Sequence, residues 1–171
     1  MHIDAYFDRI AYAGPVQPDL ATLTALHRAH LRAIPYENLD VQLGRPVTIE
    51  RAPIFEKIVT GKRGGWCYEM NGLFGWALDQ LGFRVTRSAG AVMREVNGAA
   101  AIGNHLVLKV ELEEGAILPT SASATGRSIP FESRPAGSSR KASTSRFRTA
   151  TTDGGACTII RAAGQHRSIL I

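Results

Sequence analysis

Apolar residues recur at helical spacing through the first half of the chain and at alternating spacing after it. Ile3, Tyr6, Phe7 and Ile10 share one face of a short helix over 2–10, and a loop with Gly14, Pro15 and Pro18 follows. Asp19 can cap a second helix whose stripe is Leu20, Leu23, Leu26, His27, His30 and Leu31, ending before Pro35. Residues 50–60 turn Ile54, Phe55, Ile58 and Val59 inward. The longest stripe is Met70, Leu73, Phe74, Ala77, Leu78 and Leu81, stopped by Gly82. From Phe83 the period becomes two. Phe83 to Thr86 alternates, Ala89 to Met93 is a small-apolar strand candidate, and Asn97-Gly98 signals a turn. His105 to Leu112 sets Leu106, Leu108, Val110 and Leu112 on one face, with His105, Val107, Lys109 and Glu111 on the other. Helices feeding into strands predict an α+β fold, with a helical domain over 1–83 and the start of a β-rich domain over 84–115.

The pattern fades after residue 115. Residues 116–171 include nine Ser, seven Thr, nine Ala and seven Arg, with little amphipathic period, and are expected to be a disordered tail. Charge divides at the same place. Residues 1–115 carry 12 Lys/Arg against 13 Asp/Glu, and residues 116–171 carry 8 against 2. The formal +5 therefore belongs to the tail, which has no nucleic-acid motif and little aromatic interleaving. Its charge implies non-specific attraction to polyanions and no sequence-specific nucleic-acid partner. Cys67 and Cys157 show no disulfide-framework spacing, and no basic segment followed by an apolar run opens the chain. No apolar run reaches the roughly 18 to 20 residues needed to span a membrane. A cytoplasmic protein without a membrane partner is the expectation.

Cys67 carries the candidate chemistry. It follows Gly64-Gly65-Trp66 and begins the longest helical stripe, where free N–H groups and the positive end of the helix dipole favour a thiolate. A lone cysteine more often packs than reacts, so the assignment needs a base. His105, at the start of the clearest strand, can supply one, and a Cys–His couple lowers the thiol pKa. Spacing permits the pair to meet without showing that it does. His27 and His30 lie three apart on a helix, with no carboxylate or cysteine at ligand spacing, so they read as boundary histidines and no metal site is expected. Glu37 and Asn38 read as side chains that hydrogen-bond loop backbone.

Three segments together resemble the arylamine N-acetyltransferases. They are Ile34-Pro35-Tyr36-Glu37-Asn38-Leu39, Arg63-Gly64-Gly65-Trp66-Cys67-Tyr68-Glu69-Met70-Asn71-Gly72-Leu73-Phe74 and His105-Leu106-Val107-Leu108-Lys109-Val110. The resemblance covers residues 1–115. It implies a helical domain, a β-rich domain and a third α/β lid, with Cys67 as nucleophile and His105 as base. It further implies ping-pong chemistry, in which acetyl passes from acetyl-CoA as co-substrate to Cys67, and then to an arylamine, arylhydroxylamine or hydrazine. No bound cofactor is implied. The family's aspartate, which orients the histidine, has no counterpart here, since no acid stands between Glu114 and Glu132. The lid domain is expected to be missing as well. One choice of codons for Ala116 to Gly126, read one base earlier, spells R-Y-L-A-D-V-G-F-G-D-G, the family's aspartate segment. The tail is therefore expected to be encoded out of frame, and turnover to be impaired. Rival readings are another Cys–His enzyme of transglutaminase-like or hydrolytic type, and an inactive fragment or pseudoenzyme with a polyanion-binding tail.

Overall fold

In the computed structural model, residues 1–113 and 115–119 are described, together with the backbones of strands 146–151 and 158–163. The helices lie close to their predicted places. α1 is Ile3–Ile10, α2 is Leu20–Ala33, α3 is Leu39–Gln42, α4 is Arg51–Phe55 and α5 is Cys67–Gln80. Asp19 caps α2 by accepting from the Thr22 N–H at 2.7 Å. α4 runs directly into a π-helical turn, Glu56–Thr60, closed by the Gly61 N–H on the Glu56 carbonyl at 2.7 Å. Gly82 ends the last turn of α5 at φ +82, a conformation that a side chain would strain.

α5 is buried on more than one stripe. Glu69, Asn71, Gly75 and Trp76 are enclosed along with Met70, Leu73, Phe74, Ala77 and Leu78. Helices α1, α2 and α4 cover one side and the sheet covers the other, so this helix is the axis of the core. Tyr6, Phe55, Phe74 and Trp76 interlock around it, with Tyr6 edge-on to Trp76 at 6.2 Å and Phe55 edge-on to Trp76 at 5.3 Å. His30 belongs to this core and not to its boundary. It is fully buried, and its Nδ1 is paired with the Tyr6 hydroxyl at 2.9 Å. Burial holds its imidazole neutral, down to about 3 from an ordinary 6.5.

The sheet is antiparallel, in the order β1-β2-β3, with β1 at Arg84–Gly90, β2 at His105–Leu112 and β3 at Gly115–Ile117. Val85 faces Val110 and Gly90 faces His105 across the first pair. The strand expected over 89–93 stops at Gly90. Residues 91–104 then form a loop with a short helix α6, Arg94–Asn97, and a 3₁₀ turn, Gly98–Ala101, in place of a tight hairpin at Asn97-Gly98. β3 crosses the expected boundary at 115 and buries Ile117. Within the stretch expected to be a disordered tail, β4, Arg146–Thr151, and β5, Thr158–Ala163, pair antiparallel. The position expected for the missing acid, and Cys157, lie outside the described residues.

Candidate active site

Two of the sequence segments that looked distinctive come together ahead of α5. Residues 35–37 and 65 pair side by side, with the Gly65 N–H on the Pro35 carbonyl at 3.2 Å and the Glu37 N–H on the Gly65 carbonyl at 3.0 Å. Gly64 is required by this approach, because a Cβ there would collide with the Pro35 carbonyl oxygen. Charges lock the pairing. Lys57 Nζ lies 2.7 Å from Glu69 Oε2, 2.9 Å from Asp40 Oδ2 and 3.6 Å from Glu37 Oε1. Arg63 Nη2 lies 2.8 Å from Glu37 Oε1 and 3.0 Å from Asp40 Oδ2. Hydrogen bonds from Lys57 and Arg63 hold the Asp40 carboxyl down to about 2. Glu69 also accepts from the Trp66 N–H at 3.2 Å, which fixes the first turn of α5. As expected, Glu37 serves loop backbone, accepting from the Leu39 N–H at 2.8 Å, and it carries the ion pairs besides.

The thiol of Cys67 emerges from this turn and is 3% exposed. Its Sγ is 3.7 Å from the carbonyl oxygen of Asn104, which can accept the thiol proton. Three backbone N–H groups, those of Leu106, Tyr68 and Cys67 itself, favour the thiolate, whereas burial and the Glu69 charge oppose it. Burial wins, and the thiol is pushed above its ordinary pKa. The lowered pKa expected from the helix terminus and from His105 is thus corrected: desolvation exceeds the pull of the N–H groups, and among the described residues no histidine contributes. Tyr36, 44% exposed, borders the sulfur, and its phenol is pushed up by burial first and by Cys67 second.

His105 opens β2 half-buried, and burial lowers its imidazole pKa. The main chain on either side of His105 reaches Cys67, through the Asn104 carbonyl and the Leu106 N–H. Among the described residues no hydrogen bond joins the His105 ring to the thiol. His27 and His30 lie on α2, and His30 is spent in the core. Among the described residues no group of three His, Cys, Asp or Glu is arranged to hold a metal. Nor is any described helix long and apolar enough to cross a membrane.

Sequence reasoning missed several residues that build this site. Arg9 on α1 donates to the carbonyls of Ile58, Ala33 and Arg63 at 2.9, 2.8 and 3.3 Å. Asn71, wholly buried, donates to the Leu106 carbonyl at 2.6 Å. The Asn104 side chain clasps both main-chain groups of Val92, at 2.8 and 2.9 Å, and the Tyr68 hydroxyl donates to the Gly103 carbonyl. A polar residue four places after Cys67 was the only local signal for Asn71.

A buried cysteine heading a central helix against the edge of an antiparallel sheet defines an α+β protein of the kind that carries a cysteine at a helix start. A family model described as N-acetyltransferase matches residues 19–168, and the chain belongs to the arylamine N-acetyltransferase family. That match continues past residue 115, where the resemblance of the sequence segments stops. A chicken pineal-gland arylamine N-acetyltransferase, isozyme NAT-3, is 43% identical over 116 residues, 67% of this chain and 40% of its own length. The solved arylamine N-acetyltransferase of M. tuberculosis superposes with TM-score 0.68 at 30% identity, covering 99% of this chain and 64% of that one. The Mycobacterium marinum enzyme in complex with CoA does so with TM-score 0.63 at 28% identity, covering 99% and 63%. The chain thus spans about two fifths of the length of the curated relative.

Proposed function

We propose that this chain carries out cysteine-mediated acetyl transfer from acetyl-CoA to an aromatic amine, arylhydroxylamine or hydrazine, and does so slowly. Cys67 Sγ, losing its proton to the His105 imidazole, attacks the thioester carbonyl of acetyl-CoA. The carbon–sulfur bond to CoA breaks, and CoA leaves with the proton. The amine nitrogen then attacks the Cys67 thioester and releases the sulfur, with His105 accepting the proton from nitrogen. The observation that carries this reading is Cys67 at the head of α5, with the backbone flanking His105 against its sulfur, in a chain of this family. The CoA complex of the M. marinum relative supports acetyl-CoA as donor.

Slow turnover follows from two features. Burial favours the protonated thiol, and no acid stands between Glu114 and Glu132, the stretch where the family's orienting aspartate belongs. Loss of the acid from a comparable triad costs on the order of 10⁴ in rate. The test is to incubate the chain with acetyl-CoA, weigh it intact, and add an arylamine. An acetyl adduct on Cys67 that the amine discharges supports the proposal, and an adduct that persists in Cys67→Ala overturns it. The raised thiol also favours a second reading, an inactive member of the family, for which no adduct forms at all.

The out-of-frame tail remains a separate proposal. Sequencing the codons around Gly115 tests it, and third bases that fail to spell the aspartate segment in the shifted frame overturn it.

A further inference from the structure

Leu106 occupies an unusual place on the sheet. It sits opposite Ala89 in the β1–β2 ladder, while β3 covers only Val110 to Leu112 on the other edge. In an antiparallel ladder alternate residues turn both main-chain groups to the same side. The Leu106 groups turn toward α5: its carbonyl accepts from Asn71 Nδ2 at 2.6 Å, and its N–H is among the main-chain donors that favour the Cys67 thiolate. Cys67 and Asn71 are four apart, one turn of one helix face. Helix side chains thus take the place of a strand at this edge. An unpaired buried main-chain group is costly, so the position is strongly held.

We propose that Asn71 is a positioning residue for the Cys67 nucleophile, acting by fixing the Leu106 peptide so that its N–H stays on the sulfur. The proposal rests on the reading of Cys67 as the reacting group. With Asn71 in place, helix and strand cannot slide apart, and a thiolate formed at Cys67 finds a donor already in position. The bond has the same effect on His105, whose peptide adjoins Leu106. Without the Asn71 donor the Leu106 carbonyl is left unpaired, the strand edge moves off the helix, and the thiolate loses its best-placed partner.

The test follows the rate of Cys67 alkylation by iodoacetamide against pH in the full chain, with the modified residue located by peptide mapping. Asn71→Leu keeps the branching and bulk of the side chain and removes the donor. It is expected to slow alkylation about tenfold near pH 7.5, with the rates converging at high pH, where the thiolate forms regardless. Asn71→Gln, which keeps a donor one methylene further out, should fall between it and the parent. Leu73→Ala, which lowers stability from the same helix and keeps the Asn71 donor, should leave the profile in place. An unchanged profile in Asn71→Leu, or faster alkylation at neutral pH, overturns the proposal, the second result meaning that the bond only keeps the sulfur enclosed. If Asn71→Leu does not fold, Asn71→Gln against the parent carries the same comparison. Alkylation needs no acetyl-CoA, so failure of acetyl transfer and failure of this positioning role appear in separate measurements.

Discussion

The first turn of α5 has two unlike sides. On one, Glu69 gathers Lys57, and with Glu37, Asp40 and Arg63 the cluster sets three carboxylates against two cations, all within ion-pair distance. On the other, the hydrogen-bonding groups around Cys67 are main-chain ones, the Asn104 carbonyl and three N–H donors, with the Tyr36 phenol alongside. Charge is used to place the helix start, and among the described residues none is placed to ionise the thiol. The excess carboxylate, partly offset by the positive end of the helix, even works against ionisation, because Glu69 raises the Cys67 pKa. Positioning a nucleophile and activating it are therefore separate tasks here, met by different residues.

The largest effect is expected where the charged side is broken. Lys57→Met leaves Glu69, 4% exposed, without its cation, and should cost about 4 kcal/mol in a denaturant titration. A loss under about 1 kcal/mol would mean that the cluster re-forms around Arg63. Next comes acidity, which separates the helical core from the site. His30 titrates near 6.5 when unfolded and near 3 when folded, so the unfolded chain binds the extra proton between these values. Stability is full above about pH 6.5 and falls as pH drops toward 3, by about 2 kcal/mol at pH 5. Unfolding midpoints at pH 7 and pH 5 check this, and His30→Gln should flatten the slope over that window. The smallest effect concerns the sulfur side. Cys67 should react more slowly with iodoacetamide at pH 7 in the folded chain than in urea, and the reverse order would show an activated thiol after all.

Local pattern carried much of the fold. The Asp19 cap began α2, and the alternation from His105 to Leu112 marked β2 at both ends, since a cap and a half-buried strand are written in neighbouring residues. The cysteine at the head of α5 was legible for the same reason. What could not be read depends on partners far along the chain. A stripe shows that a helix has a face to bury but not that sheet and helices will enclose it on several sides, as they do α5. Asn71 looked like an ordinary polar position because Leu106, its acceptor, lies 35 residues away. Lys57 gave no sign, since its three acids come from two separate segments, 37–40 and the first turn of α5. The thiol was misjudged because the helix terminus is a sequence feature, while the desolvation that outweighs it is a property of the assembled core.

Arg9 sets an order of events in folding. Its three carbonyl acceptors lie 24, 49 and 54 residues along the chain, at the end of α2, in the π-helical turn and just before the paired glycines. No such bond can form until those segments have converged, so the guanidinium acts as a latch that closes late. Arg9→Ala should then speed unfolding and leave the refolding rate nearly unchanged in stopped-flow measurements, whereas slower refolding would place α1 in the folding nucleus. The amino-terminal helix, far from the sulfur in sequence, thus governs how long the assembled site persists once formed.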